Sequence, residues 1–189
     1  QLGGTDGQRR QGPVHRCLTE LAGRGQPFAQ TDDARKGIDH RKALAFGAGT
    51  AVAGQEISND MSRCASGKGP AVRVNVRGVK EAAGKVRVQS YPATGSAWLA
   101  KGRWIHRLES RANAGTMSFC VPVPSEGRYG IAVRHDRNGN GKTDISSDGG
   151  GFSNNPSINI LNLGKPSVSK VAFQAGPGVT QITINLKYM

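Results

Sequence analysis

Ala71-Val72-Arg73-Val74-Asn75-Val76-Arg77 alternates apolar with polar at every step, and this stretch decides the fold class. Side chains two residues apart share one face of a strand, so Val72, Val74 and Val76 lie on one side and Arg73, Asn75 and Arg77 on the other. The stretch reads as a half-buried strand. Gly84 to Gln89 repeats the signature after Glu81 to Gly84, a connection of hairpin or bend length. Further along, alternation marks Trp104 to Glu109, Met117 to Val123, Tyr129 to His135, Ser157 to Leu161, Val168 to Phe173 and Gln181 to Tyr188. Turns rich in Gly, Pro, Asn and Ser separate them, and only Gly95 to Lys101 leaves room for a helix, of one or two turns at most. The expected class is all-β: an immunoglobulin-like or prealbumin-like antiparallel β-sandwich of about seven strands over residues 64–189.

Composition agrees with one ordinary domain, or a small one with a tail. The 189 residues are 36% hydrophobic with 27 Gly and 10 aromatics, too apolar for a wholly disordered chain and too glycine-rich for a helical bundle. No run approaches the roughly 18 apolar residues of a membrane-spanning helix. Charge is uneven: residues 1–60 hold 8 Lys+Arg against 7 Asp+Glu, and residues 61–189 hold 18 against 6. Such a balance attracts polyanions without choosing among nucleic acid, anionic lipid and acidic polysaccharide. Arg73, Arg77, Lys85 and Arg87, on the polar faces of two successive strands, have the character of a phosphate-tracking surface. Only Tyr91 accompanies them as a stacking group, which makes nucleic acid the weaker partner. An anionic envelope polymer or glycan is the nearer expectation for an exported protein. Trp98 and Trp104 read as sandwich core more readily than as a sugar platform.

Residues 1–60 carry neither period, and they read as an unpatterned, poorly structured tail. Within it, Arg41 and Lys42 precede an apolar run that ends in Ala51-Val52-Ala53, so residues 41–53 have the basic, apolar and small-residue order of a secretory signal. On that reading the mature chain begins near Gly54 and is periplasmic or secreted. A solvated tail or short helix is the competing reading. A third is sequence upstream of a start at Met61, the first methionine. Removing the segment also removes Cys17 and leaves Cys64 and Cys120, an even pair that predicts a disulfide in an oxidising compartment. Two independent buried thiols are the alternative.

Three of the six acids of residues 61–189 crowd into Asp136, Asp144 and Asp148. Calcium loops of the D-x-[DN]-x-[DN]-G type place oxygens at positions 1, 3 and 5, a carbonyl at 7 and an oxygen at 9, with glycine at 6 for the turn. Here these are Asp136, Asn138, Asn140, Lys142 through its carbonyl, and Asp144, with Gly141 at the turn and Asp148 as a further carboxylate. Position 12 is Ser147, not the glutamate of a helix-loop-helix hand. Few charged ligands beside Arg137 and Lys142 predict weak binding, on the order of 10⁻⁴ to 10⁻³ M. A metal-free Asx turn is the competing reading of the same residues.

The run EGRYGIAVRHDRNGNGKTD at 126–144, then GGGFSNNP at 149–156 and the alternating ITINLKY at 182–188, resembles the bacterial family called domain of unknown function 2141. The resemblance covers about residues 64–189 and implies a secreted or periplasmic β-sandwich without established activity. Two departures stand out. Ile145-Ser146-Ser147-Asp148-Gly149-Gly150 replaces a link that usually contains Pro and Glu, and Gly130 stands where Ala is common.

For catalysis, residues 61–189 offer His106 and His135 beside six acids, and no G-x-S-x-G, HExxH, phosphate-loop or dinucleotide fingerprint. His135 and Asp136 are adjacent on a strand and therefore face opposite sides. His135 reads as a strand-end histidine bonded to the loop that follows. The expectation is a non-enzymatic exported accessory or binding module of the cell envelope with a calcium-stabilised loop. The alternative is a basic carbohydrate- or anionic-polymer-binding module that uses the sheet face.

Overall fold

The computed structural model describes residues 54–158 and 164–189. The signal-like segment, the tail before it, Cys17 and most of the expected strand at Ser157 to Leu161 lie outside them. Strands dominate the regular structure of the described residues, arranged as β1 (Gln55–Ile57), β2 (Ala71–Val79), β3 (Lys85–Pro92), β4 (His106–Arg111), β5 (Gly115–Pro122), β6 (Gly127–Asp136), β7 (Gly149–Phe152), β8 (Phe173–Ala175), β9 (Val179–Asn185) and β10 (Lys187–Tyr188). A 3-10 helix at Met61–Cys64 and a single α-helical turn, α1, at Val168–Val171 complete it.

Two sheets form. The larger has the order β1-β4-β3-β6-β7-β10, with β8 on the first residues of β6, and the smaller has the order β5-β2-β9. Val72, Val74 and Val76 of the smaller sheet share one buried cluster with Val86, Val88, Leu108, Ile131 and Val133 of the larger. The period-2 pattern thus works as expected on β2, β3 and β6, whose alternate residues enter one core at about 1.5–3 kcal/mol per side chain.

Several expectations are corrected. The sandwich is not purely antiparallel: β1 runs parallel to β4 and β2 parallel to β9. Parallel neighbours need long connections, and more than 90 residues separate β2 from β9. β2 and β3 do not form a hairpin. The connection between them passes from the smaller sheet to the larger, so Arg73 and Arg77 lie on one sheet and Lys85 and Arg87 on the other. Gly84 permits the passage: its φ is +69°, and a Cβ there would collide with the Asp136 carbonyl. The expected final strand is two, because the chain changes sheet at Leu186, whose N–H donates to the Arg77 carbonyl.

The alternation at Val168 to Phe173 becomes the α1 turn followed by β8, with Val171 fully buried. Valines at 168 and 171 suit a helical turn as well as they suit a strand. Gly95 to Lys101 holds hydrogen-bonded turns in place of the helix, and the expected strand at Trp104 starts at His106. Neither tryptophan enters the inter-sheet core. Trp98 packs edge-on against Tyr91 and Phe152, and Trp104 stacks on the Arg107 guanidinium at 3.9 Å. β1 and β7 carry no alternation. β7 is Gly-Gly-Gly-Phe, where a Cβ on Gly149 would lie 2.5 Å from the Tyr188 ring and one on Gly151 2.7 Å from Ile184.

Candidate functional site

The loop after β6 gathers the sequence-predicted residues unevenly. Asp136 closes the strand, buried, and its Oδ2 accepts from the Gly141 N–H at 2.9 Å and from Arg134 at 3.3 Å. Its Oδ1 is buried without a hydrogen-bond partner. Asn138 and Asn140 accept the N–H groups of Asn140 and Lys142 two residues on, which are Asx turns. Their amide nitrogens both donate to Asp144 Oδ2, at 2.9 and 2.7 Å, and hold its carboxyl below the usual carboxylate range. The two oxygens of Asp148 accept the N–H groups of Arg137 and Asp144. Arg137 pins the base of the loop to Glu81 and to the Ser147 carbonyl.

As arranged, the loop is a hydrogen-bonded turn in which one buried oxygen, Asp136 Oδ1, is spare. Among the described residues no three His, Cys, Asp or Glu side chains stand close enough to hold a metal. A cation there would draw on Asp136, Asp144 and the asparagine oxygens together. Asp136 Oδ1 fits that role, because a buried carboxylate oxygen without a donor is costly until something positive reaches it.

The two histidines of the described residues are both engaged in structure. His106 Nδ1 donates to the Pro122 carbonyl at 2.9 Å, joining the larger sheet to the smaller, and burial lowers its basicity below the usual histidine range. His135 is fully buried, between the Tyr188 hydroxyl at 2.7 Å and the Ala83 carbonyl at 2.8 Å. It therefore holds the C-terminal strand and the β2–β3 connection, not the loop that follows it. The second motif block is also structural: Asn154 bonds the Ala172 carbonyl, and Asn155 bonds the Thr183 carbonyl and the Asn185 N–H. Cys64 and Cys120 form a disulfide, with the 3-10 helix at its side.

Beside the acidic loop lies a feature that sequence reasoning missed. A groove of about 310 Å³ opens on the outward face of the larger sheet. Its floor is set by register: Arg87 stands opposite Arg134, Arg134 opposite Gly150, and Gly150 opposite Lys187. In the next row Gln89 faces Ala132 and Ala132 faces Phe152. Arg134 ties the floor to the loop through Thr143 at 2.8 Å and the Gly141 carbonyl at 3.0 Å. Burial, and then the Arg87 charge beside it, lowers the Arg134 guanidinium from its usual value, and its Nε is buried without a partner. Four residues of the unusual link, Ile145, Asp148, Gly149 and Gly150, line the groove. That departure was the one signal in the sequence that pointed here.

The family described as an uncharacterized protein conserved in bacteria, DUF2141, matches residues 74–183. No curated protein and no solved structure matches the chain. The match spans more than half of the chain, which belongs to this family.

Proposed function

We propose that this member of an uncharacterised bacterial family is an exported, non-enzymatic accessory or binding module of the cell envelope, with a loop at 136–144 that binds calcium weakly. The observation that carries the reading is the Cys64–Cys120 bridge. Disulfides persist in oxidising compartments, and a small secreted domain gains most from one. Export by cleavage after Ala53 suits the fold. It leaves Gly54, whose N–H donates to the Trp104 carbonyl, and it keeps β1. A chain starting at Met61 would lose β1 and also Asn59, which bonds the Cys120 N–H and the Ser118 carbonyl. Both histidines of the described residues being spent on structure supports binding over catalysis.

The spare Asp136 oxygen supports the calcium reading. Asp136, Asn138, Asn140, Asp144 and the Lys142 carbonyl are the holders, while Asp148 stays on its backbone donors. With two carboxylates and Arg134 close by, the affinity falls at 10⁻⁴ to 10⁻³ M, on the order of extracellular modules. Millimolar calcium raises the melting temperature of the wild type and not of the Asp136→Ala/Asp144→Ala double variant. An equal response from both, or none from the wild type, leaves only the turn. For export, N-terminal sequencing of protein from the native host is expected to give Gly54, and Met61 would remove that reading.

A second reading, a module for a basic-surface ligand such as a glycan or anionic polymer, is favoured by the cation row on the larger sheet. Binding to an acidic polysaccharide that weakens steeply with salt tests it.

A further inference from the structure

We infer that the groove takes an amphiphilic anion, a carboxylate or phosphate carried on an acyl chain. The inference rests on the reading of the domain as a binding module and names the ligand class of its sheet face. Three observations carry it. The first is the cation row. Arg87, Arg134 and Lys187 share one face of the larger sheet, and Arg87 and Arg134 stand directly opposite, where like charges repel. Arg87 is paired with Glu109 and Arg134 with Asp136. Lys187 and Lys165, which also line the groove, have no carboxylate within ion-pair distance among the described residues, and the two lining carboxylates, Asp144 and Asp148, are held by Asn138 and Asn140 and by backbone N–H groups. An anion seated in the row relieves that repulsion.

The second is Gly150. A Cβ on Gly149 or Gly151 would collide with a neighbour, but one on Gly150 would meet nothing within 4 Å. Its backbone is not left-handed, so neither packing nor conformation requires glycine there. Glycine weakens a strand, and in this setting it leaves a side-chain-free gap between Arg134 and Lys187 where a ligand approaches the backbone.

The third is the apolar wall. Ile145 and Met189, 52% and 50% exposed, are the two most exposed large hydrophobics among the described residues, and both line this groove. Leu99 and Phe152 contribute further apolar lining. A free phosphate or a sugar would leave these side chains in water. An acyl chain covers them while its head sits in the row.

Titration calorimetry on the full chain with octanoate, decanoate and decyl phosphate, each below its micelle concentration, tests this. Affinity is expected to tighten roughly fourfold per added methylene, the value for burying one such group. Acetate and inorganic phosphate, anions without a chain, and decyl maltoside, a chain without an anion, are expected to bind at least tenfold more weakly. Gly150→Val, which fills the gap, is expected to lose binding tenfold or more with an unchanged melting temperature. Lys187→Glu, fully on the surface, does the same if the valine variant fails to fold. Wild-type affinity in a folded Gly150→Val or in Lys187→Glu, or decyl maltoside binding as tightly as decanoate, overturns the inference. Binding to phosphatidylglycerol vesicles without binding the monomeric amphiphiles overturns it in favour of a membrane surface. Binding to an acidic polysaccharide alone overturns it and leaves the polymer reading standing, whereas binding to none of these ends both.

Discussion

On β2 the outward Arg73, Asn75 and Arg77 stand opposite Cys120, Ser118 and Thr116 of β5, whereas on β3 the outward Arg87 and Gln89 stand opposite Arg134 and Ala132 of β6. Both faces are written in the same alternating code and both are basic. The first carries short polar partners such as the Asn75–Ser118 pair, and its end is closed by the disulfide and the 3-10 helix. The second is bordered by Trp98 and by the acidic loop, and it becomes concave. Alternation settles which side chains face out. Long connections that fold back over a sheet settle whether that face can hold a ligand.

The largest test acts on the closed end of the smaller sheet. Replacing both Cys64 and Cys120 by serine is expected to cost about 4 kcal/mol on the loop-entropy account, read from urea denaturation. A loss under about 1 kcal/mol would show that the helix and Asn59 close that end without the bridge.

Next comes a paired substitution across the two faces. Trp98→Ala removes the contacts to Tyr91 and Phe152 and the 2.8 Å bond from its indole N–H to the Pro166 carbonyl. It is expected to cost about 3 kcal/mol, against about 0.5 kcal/mol for Asn75→Ala on the smaller sheet. Equal costs would break the distinction between a covered and an open face.

A smaller effect follows from His106, which bridges the sheets. Burial disfavours its protonated form in the folded state, so the unfolded chain takes up the proton at higher pH. The contribution is complete above the ordinary histidine value of about 6.5 and declines as pH falls below it. The melting temperature should therefore fall from pH 7.5 to pH 5, and His106→Gln should flatten that slope. An unchanged slope would place the acid sensitivity elsewhere.

The smallest expected change is at Gly150, where valine should leave stability within about 0.5 kcal/mol. Gly149→Ala and Gly151→Ala, with Cβ atoms 2.5 and 2.7 Å from neighbours, should each cost about 1–3 kcal/mol by overpacking. Comparable losses at all three positions, measured by thermal unfolding, would mean that the groove floor is packed in solution.

Much of the fold was legible because burial imposes a period of two. Val72, Val74 and Val76 read from sequence as one apolar face and are buried. β7 was not legible, since two of its glycines, Gly149 and Gly151, are demanded by Tyr188 and Ile184, residues more than 30 positions away. The split at Leu186 was hidden for a related reason: alternation runs on unbroken through a change of sheet. In the candidate site, the Asx spacing of Asp136, Asn138 and Asn140 was readable, because those bonds span only a few residues. The turning of Asp148 toward backbone N–H groups was not.

The sequence alone determined the strand class, which side of the alternating strands is apolar, the cysteine pair, the local turn at 136–144 and the membership that its motif blocks announced. All of these rest on interactions between near neighbours or on composition. Only the tertiary structure decided the parallel pairings, the separation of the two basic faces onto different sheets, the structural employment of His106 and His135 and the groove over Gly150. Each of these depends on which distant strands become neighbours. That choice is made by the whole core at once, when side chains of both sheets must fill one space, and no single stretch of the chain records it.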